Sequence, residues 1–429
     1  MRLGWVLLAL AATGCRHKSR RAEAAQNSDA TPTDGAAAEP EGETPAIAPT
    51  RAGEGSQPRW RSLTHGPRPR GIERWRYDFT PRTPYGEPAT DGRTVFVSAV
   101  RREDEGPTDG EVFAFDLRDG TLRWHVPVGG LHGEPVELAD GLVLVDTIPH
   151  CARRGADTPG VAQRPCAETG RGGLVALDAR DGRERFRTTF TSEALRARWA
   201  GALVDGSWWM HDGAGSLHAV RLPSGESGPR IPLSGAVTNL ASAERDLLYT
   251  VDARPTTRLV ARTPSALRSR WEKVLPYRSA CPVVTTGPVV VVPAFATTGV
   301  TGAPRALLRS TGTDLWTVPA PPRSVEGCGA IDNNVFWQVA DLTLQGFALG
   351  DGRRRGRFAV PAPPTSDLGV ALDGVFYVSV HGRLAGLDLI DGHVAVSVVT
   401  EAAAAEGLAL WAGRGAVTTR APGLLIGFD

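Results

Sequence analysis

The chain has 429 residues, a formal charge of +1, and 22% charged against 41% hydrophobic residues. A balanced charge removes the electrostatic argument for a nucleic-acid partner. The length suits either two average domains or one large repeat array, and 50 Gly with 33 Pro favour many short strands joined by tight turns.

The first segment reads as an export signal over residues 1–14. Arg2 supplies the charged start, Leu3–Ala12 the apolar run, and Ala12-Thr13-Gly14 a small-residue cleavage site. The run is too short to span a bilayer. Cys15 directly after it resembles the bacterial lipobox, which implies cleavage before Cys15 and lipidation there. An ordinary secretory signal with a coincidental cysteine is the alternative. Arg16 follows where an Asp would resemble an inner-membrane retention signal, so the expected location is the outer membrane, facing the periplasm. Residues 15–69 are rich in Ala, Pro, Glu, Thr and Arg and lack the apolar content to offset ordering entropy, so a disordered tether is expected.

From residue 70 to 429 one unit recurs. GEVFAFDLRDGTLRW places a small residue at Ala114, Asp116 two positions on, Gly120 at +6 and Trp124 at +10. GLVALDARDGRERF repeats this at Ala176, Asp178, Gly182 and Phe186. Weaker copies follow at Ala219/Arg221/Gly225/Pro229, Ala261/Thr263/Leu267/Trp271, Ala306/Leu308/Gly312/Trp316, Gly346/Ala348/Gly352/Gly356 and Gly386/Asp388/Gly392/Val396. The eighth is split: Gly427 and Asp429 supply one half, Gly71 and Trp75 the other. Upstream of each small residue lies a turn followed by an apolar run, such as Asp91-Gly92 before TVFVSAV, Asp140-Gly141 before LVLVD and Asp373-Gly374 before VFYVSV. Asp-Gly between apolar runs is a strong hairpin signal because a tight turn needs positive φ.

Four antiparallel strands per repeat of about 40 residues, eight times over, predict an all-β, eight-bladed β-propeller. A β-solenoid is the structural alternative, but only a ring gains from a repeat divided between distant segments. The strand around Gly71–Phe79 should therefore be the outermost strand of the blade that holds Gly423–Asp429.

The AxDxxxGxxxW motif resembles the tryptophan-docking repeat of PQQ-like β-propellers, a family that includes quinoprotein alcohol dehydrogenases and the BamB-like bacterial outer-membrane assembly lipoproteins. The resemblance spans roughly Gly71–Asp429. Its logic is structural. The Asp caps its turn, the Gly supplies positive φ, and the aromatic stacks on the next blade. Trp75, Trp124, Phe186, Trp271 and Trp316 are accordingly read as blade-docking residues, with Asp116, Asp178, Asp388, Asp429, Gly120, Gly182, Gly312 and Gly392 as their turn partners.

Beyond Cys15, Cys151, Cys166, Cys281 and Cys328 make an even number in an exported chain, which favours two disulfides. Of three possible pairings, Cys151–Cys166 with Cys281–Cys328 is the natural one. The metal alternative, with His150 beside Cys151, lacks any CxxC or HxxxH spacing. PQQ dehydrogenases resemble one another in vicinal cysteines, a Glu/Asn/Asp calcium set and a catalytic Asp, and no such group is identifiable here. No catalytic, cofactor-binding or metal-binding residue is therefore expected, and no cofactor. The expected function is a membrane-anchored, non-catalytic scaffold that binds envelope proteins, in outer-membrane protein assembly in its most concrete form. Membrane contact would come through the lipid anchor only. The rivals are a PQQ-dependent oxidoreductase and a ligand- or polysaccharide-sensing propeller. Variable loops, Arg101–Asp109, Thr147–Gly172 and Ala296–Ala303, gather on the face opposite the short turns, and rigid scaffolds bind through such loops.

Overall fold

The computed structural model describes residues 63–64, 66–101, 110–129, 136–147, 172–190, 201–211, 216–233, 235–243, 245–253, 256–264, 268–275, 281, 283–297, 300–319, 322–401 and 403–429. Cys15, the Cys151–Cys166 pair and most of the Thr147–Gly172 insertion lie outside them. Eight antiparallel sheets, each with four consecutive ladder strands, make eight blades. Strands are lettered a to d in order along each repeat, from the inner edge outward.

Blade 1 comprises Arg82–Thr90, Thr94–Arg101, Gly110–Asp116 and Leu122–Gly129. Blade 2 comprises Glu137–Ala139, Leu142–Thr147, Gly172–Asp178 and Glu184–Phe190. Blade 3 runs from Ala202–Val204 to Ser227–Pro232, blade 4 from Ala236–Ala243 to Arg268–Leu275, and blade 5 from Val284–Thr286 to Asp314–Thr317. Blade 5 also carries a small hairpin, Phe295–Thr297 with Val300–Gly302, between its strands b and c. Blade 6 runs from Ala330–Asp332 to Arg354–Ala359 and blade 7 from Pro364–Leu372 to Val394–Val399. Blade 8 joins Ala405–Trp411, Arg414–Thr419 and Leu424–Phe428 to Glu73–Asp78 as its outermost strand. The divided repeat is one blade, and the ring closes through it. That blade gains a further member at its inner edge, where Leu63–Thr64 run parallel to Leu410–Trp411.

Local chemistry explains the hairpins. Asp140-Gly141, Asp205-Gly206, Asn333-Asn334 and Asp373-Gly374 all have positive φ at both central residues, the conformation that two-residue hairpin turns need and that Asp, Asn and Gly tolerate. In blade 8 the corresponding turn is Ala412-Gly413, also with positive φ at both residues. The b strands are apolar on both sides because each lies between neighbouring blades; Val289–Val292 and Val375–Val380 are buried throughout. The d strands alternate instead, as Glu73–Asp78 does, with one side on the ring and one in solvent.

Among the described residues the apolar core is divided between the blades. Eight apolar clusters each draw on two consecutive blades, from blades 1 and 2 round to blades 8 and 1. Each blade therefore needs both neighbours to bury its two faces.

Candidate functional site

The recurring motif residues meet between blades. In seven blades the small residue of strand c is the register partner of the +10 position of strand d: Ala114 with Trp124, Ala176 with Phe186, Ala261 with Trp271, Ala306 with Trp316, Gly346 with Gly356, Gly386 with Val396, and Gly427 with Trp75. The register shifts beside this pair in each case, which is a β-bulge that re-aims the fourth strand.

The re-aimed aromatic reaches the following blade. Trp75 Nε1 donates to the Leu117 carbonyl at 3.1 Å, Trp124 to Ala179 at 3.3 Å, Trp271 to Arg309 at 2.6 Å and Trp316 to Leu349 at 2.7 Å. Each acceptor lies in the turn that carries the next blade's +6 glycine. Gly120 shows why glycine stands there: its φ is 73°, and a methyl group on it would lie 2.6 Å from the Trp75 ring. Gly182, Gly225, Gly312 and Gly352 face Trp124, Phe186, Trp271 and Trp316 in the same way.

Blades 6 and 7 keep the register pair but dock without an aromatic at the +10 position. In blade 6 the docking ring is Phe358, two residues beyond Gly356, and it covers Gly392 of blade 7. Gly346 and Gly356 leave a void that Trp337 of strand b fills, stacked on Phe358 at 5.9 Å. Residues two apart on a strand share a side, so Phe358 takes over the docking position without a change of face. In blade 7, where Val396 replaces an aromatic, the Gly71 turn packs directly against the Ser397 backbone.

The +2 aspartates hold the turns. Asp116, Asp178 and Asp388 accept the N–H of Arg118, Arg180 and Ile390, all at 2.7–2.9 Å. Each also takes a guanidinium, and so does Asp429: Arg123 with Asp116, Arg185 with Asp178, Arg74 with Asp429 and Arg68 with Asp388, at 2.5–2.6 Å. Burial pushes Asp116 and Asp388 upward, but the arginine and turn N–H bonds outweigh it, leaving both carboxyls below their ordinary range. Asp178 is lowered by the Arg180 N–H and Arg185, and Asp429 by Arg74. The motif reading overlooked these arginines. Arg74, Arg123 and Arg185 all stand one residue before the docking aromatic, so the same register contained the signal.

The two faces of the ring are built differently. On one, the a–b and c–d turns are hydrogen-bonded to each other: Leu117 N–H to Arg93, Ala179 to Gly141, Leu222 to Gly206, Arg309 to Pro288, Leu349 to Asn334 and Leu389 to Gly374. This turn face is short and repetitive. The opposite loop face carries the b–c and blade-to-blade connections, and Thr147 and Gly172, the two ends of the insertion, lie on that side of blade 2. Cys281 and Cys328 form a disulfide there, joining the segments that lead into the a strands of blades 5 and 6. The Asn239 amide of blade 4 donates to the Cys281 carbonyl at 3.2 Å, so three successive blades are linked near the inner edge.

Catalytic groupings are scarce. Among the described residues no three His, Cys, Asp or Glu side chains are placed to hold a metal ion. His125 stacks on Phe113 at 5.5 Å and lies 3.5 Å from Glu111, which Arg82 also engages, an arrangement of surface ion pairs on one blade. The donor set of a quinone–calcium centre does not fit the described residues. Cys281 and Cys328 bridge neighbouring blades instead of forming a vicinal pair, and the +2 aspartates are each engaged by an arginine.

A family model described as the outer membrane protein assembly factor BamB matches residues 66–226, so the PQQ-like propeller repeat is recognised there. No curated protein matches the chain. BamB from Moraxella catarrhalis has a similar solved structure, 13% identical, with a TM-score of 0.55 over 83% of this chain and 97% of that one. The computationally designed Ika8 protein is 11% identical, with a TM-score of 0.59 over 81% and 96% of the two chains. A quinohemoprotein alcohol dehydrogenase from Comamonas testosteroni is 12% identical, with a TM-score of 0.55 over 83% and 76%. At these identities the likeness is one of fold.

Proposed function

We propose that the chain is a lipid-anchored, periplasm-facing propeller that binds other envelope proteins without catalysis, in the assembly of outer-membrane proteins. The observation that carries this reading is the match of residues 66–226 to the model of an outer-membrane assembly factor. It agrees with the way the motif residues are used: indoles and glycines that would otherwise be site candidates are engaged in blade-to-blade docking, and the +2 aspartates in holding their own turns. A fold supports many functions, so likeness to an alcohol dehydrogenase carries no activity with it.

On this reading residues 1–14 are removed, Cys15 carries the lipid, and the chain after it links it to the ring, which begins at Leu63–Thr64 and not, as the composition implied, after residue 69. Binding uses the loop face, where connections vary in length while the turn face stays uniform. The test is site-specific photocrosslinking in intact cells. Probes at Leu342 and His381, on the loop face, should capture outer-membrane assembly proteins, while probes at Asp119 and Asp181, on the turn face, should not. Capture from the turn-face positions alone would reverse the assignment of the surface. Loss of the chain without effect on outer-membrane protein levels would remove the assembly role.

A further inference from the structure

Blade 7 lacks a residue that its counterparts possess. In blades 1, 2 and 8 the +2 aspartate takes its guanidinium from the position just before the docking residue, as Arg123, Arg185 and Arg74. In blade 7 that position is Ala395, and the strand Val394–Val399 contains no charged residue. Yet Asp388 is the most enclosed of the four, its side chain 6% exposed against 20%, 15% and 21% for Asp116, Asp178 and Asp429. A carboxylate at that depth needs a compensating partner.

The partner comes from 320 residues away. Arg68 places Nη1 2.5 Å from the Asp388 carboxylate and donates through Nε to the Asp373 carbonyl at 3.0 Å. The Gly66 N–H reaches the Asp373 carboxylate at 3.1 Å, and Pro67 packs on Gly413 of the blade 8 turn. Gly374 completes the cradle, since a methyl group there would lie 2.7 Å from the Arg68 guanidinium. Immediately before this stretch Leu63–Thr64 lie on the inner edge of blade 8, and immediately after it Glu73–Asp78 form the outer edge.

We infer that Asp388, the Asp373 carbonyl and Gly374 form a guanidinium-binding site on the turn face of blade 7, and that Arg68 is its resident ligand. Residues 66–71 thereby become a strap that runs from the inner to the outer edge of blade 8 and fastens that blade to blade 7. The site's ligand class is an arginine side chain or a free guanidinium ion. The inference is independent of the scaffold reading, because it concerns how the ring is held whatever the ring binds.

Hydrogen exchange on the full-length protein tests it. Arg68→Ala should accelerate exchange both in 66–71 and in the Leu389–Gly392 turn, on the order of tenfold for loss of a half-exposed charged bond. Ala395→Arg added to Arg68→Ala should restore the Leu389–Gly392 turn, by returning the arginine to its usual position, and leave 66–71 exchanging fast. Millimolar guanidinium chloride, far below denaturing concentrations, should likewise protect that turn in Arg68→Ala and not in the parent chain. Arg68→Lys should be intermediate, since it keeps the charge and loses the fork. If Arg68→Ala does not fold, adding Asp388→Asn should rescue it by removing the uncompensated buried charge. Unchanged exchange in Arg68→Ala, failure of Ala395→Arg to restore the turn, or failure of Asp388→Asn to rescue an unfolded variant would each overturn the inference.

Discussion

The indole of Trp75 lies across Gly120, so a ring from the N-terminal strand of blade 8 rests on the turn of blade 1 and donates its N–H to Leu117 at 3.1 Å. This is the docking contact at the seam where the ring closes. Gly120→Ala should cost about 2–4 kcal/mol, combining a left-handed conformation with an overpacked interface. Urea titration would measure it. The same substitution at Gly141, whose added methyl would meet nothing within 4 Å, should cost only the conformational part. Equal losses at the two sites would mean that the indole contact is energetically silent.

Reduction of Cys281–Cys328, which closes a segment of 47 residues, should lower stability by about 2–4 kcal/mol. Denaturant midpoints with and without reductant test this in a Cys151→Ser/Cys166→Ser background, so that only the one bridge responds. An unchanged midpoint there would show that the neighbouring inner strands hold blades 5 and 6 together unaided.

Acid should loosen the ring. Asp116, Asp178, Asp388 and Asp429 all bind a proton less readily when folded than an ordinary aspartate does. The unfolded chain therefore takes up more protons as pH falls, and stability falls with it. The contribution is complete above about pH 5 and drains away as pH drops through the lowered folded values. Urea midpoints from pH 7 to pH 3 should be flat and then decline, with Asp388→Asn showing a shallower decline. A midpoint that rises on acidification would contradict the sign.

Replacing Cys15 with Ala should shift the protein from the membrane to the soluble fraction on cell fractionation. Persistent membrane association would point to an anchor other than a lipid on that thiol.

Incubation with PQQ and Ca²⁺ should give no dye-linked oxidation of alcohols or sugars. Sustained turnover would establish the rival oxidoreductase reading, and the donor set would then have to be sought outside the described residues.

The ring was legible because its signals are local and repeated. Asp373-Gly374 announces a hairpin by itself, and the Ala114–Trp124 spacing recurs often enough to reveal four strands per unit. Closure was legible from the halves at Gly427 and Trp75. What escaped depended on substitution across distance. Phe358 replaces a docking ring two residues from where the register expects it, visible only once Trp337 is seen to fill the gap at Gly346. Arg68 lies in a composition that reads as tether, and its role arises from Ala395, a missing arginine 320 positions from its replacement. The choice between loop face and turn face for binding rested on loop length alone, and the insertion that carries most of it, with Cys151 and Cys166, lies outside the described residues.

The pairing of Glu73–Asp78 with Leu424–Phe428 has a consequence for how the molecule comes to exist. Arg74 and Asp429 bond across 355 positions, so the outer strand of blade 8 is made long before its hydrogen-bonding neighbour. Seven blades can each zip up from contiguous chain, while this earlier strand stays unpaired until the seven blades between have been made. Such high contact order slows the final step and leaves an aggregation-prone edge exposed meanwhile. A chaperone that shields a lone β-edge should therefore raise the yield of the ring far more than that of any fragment whose blades are all contiguous.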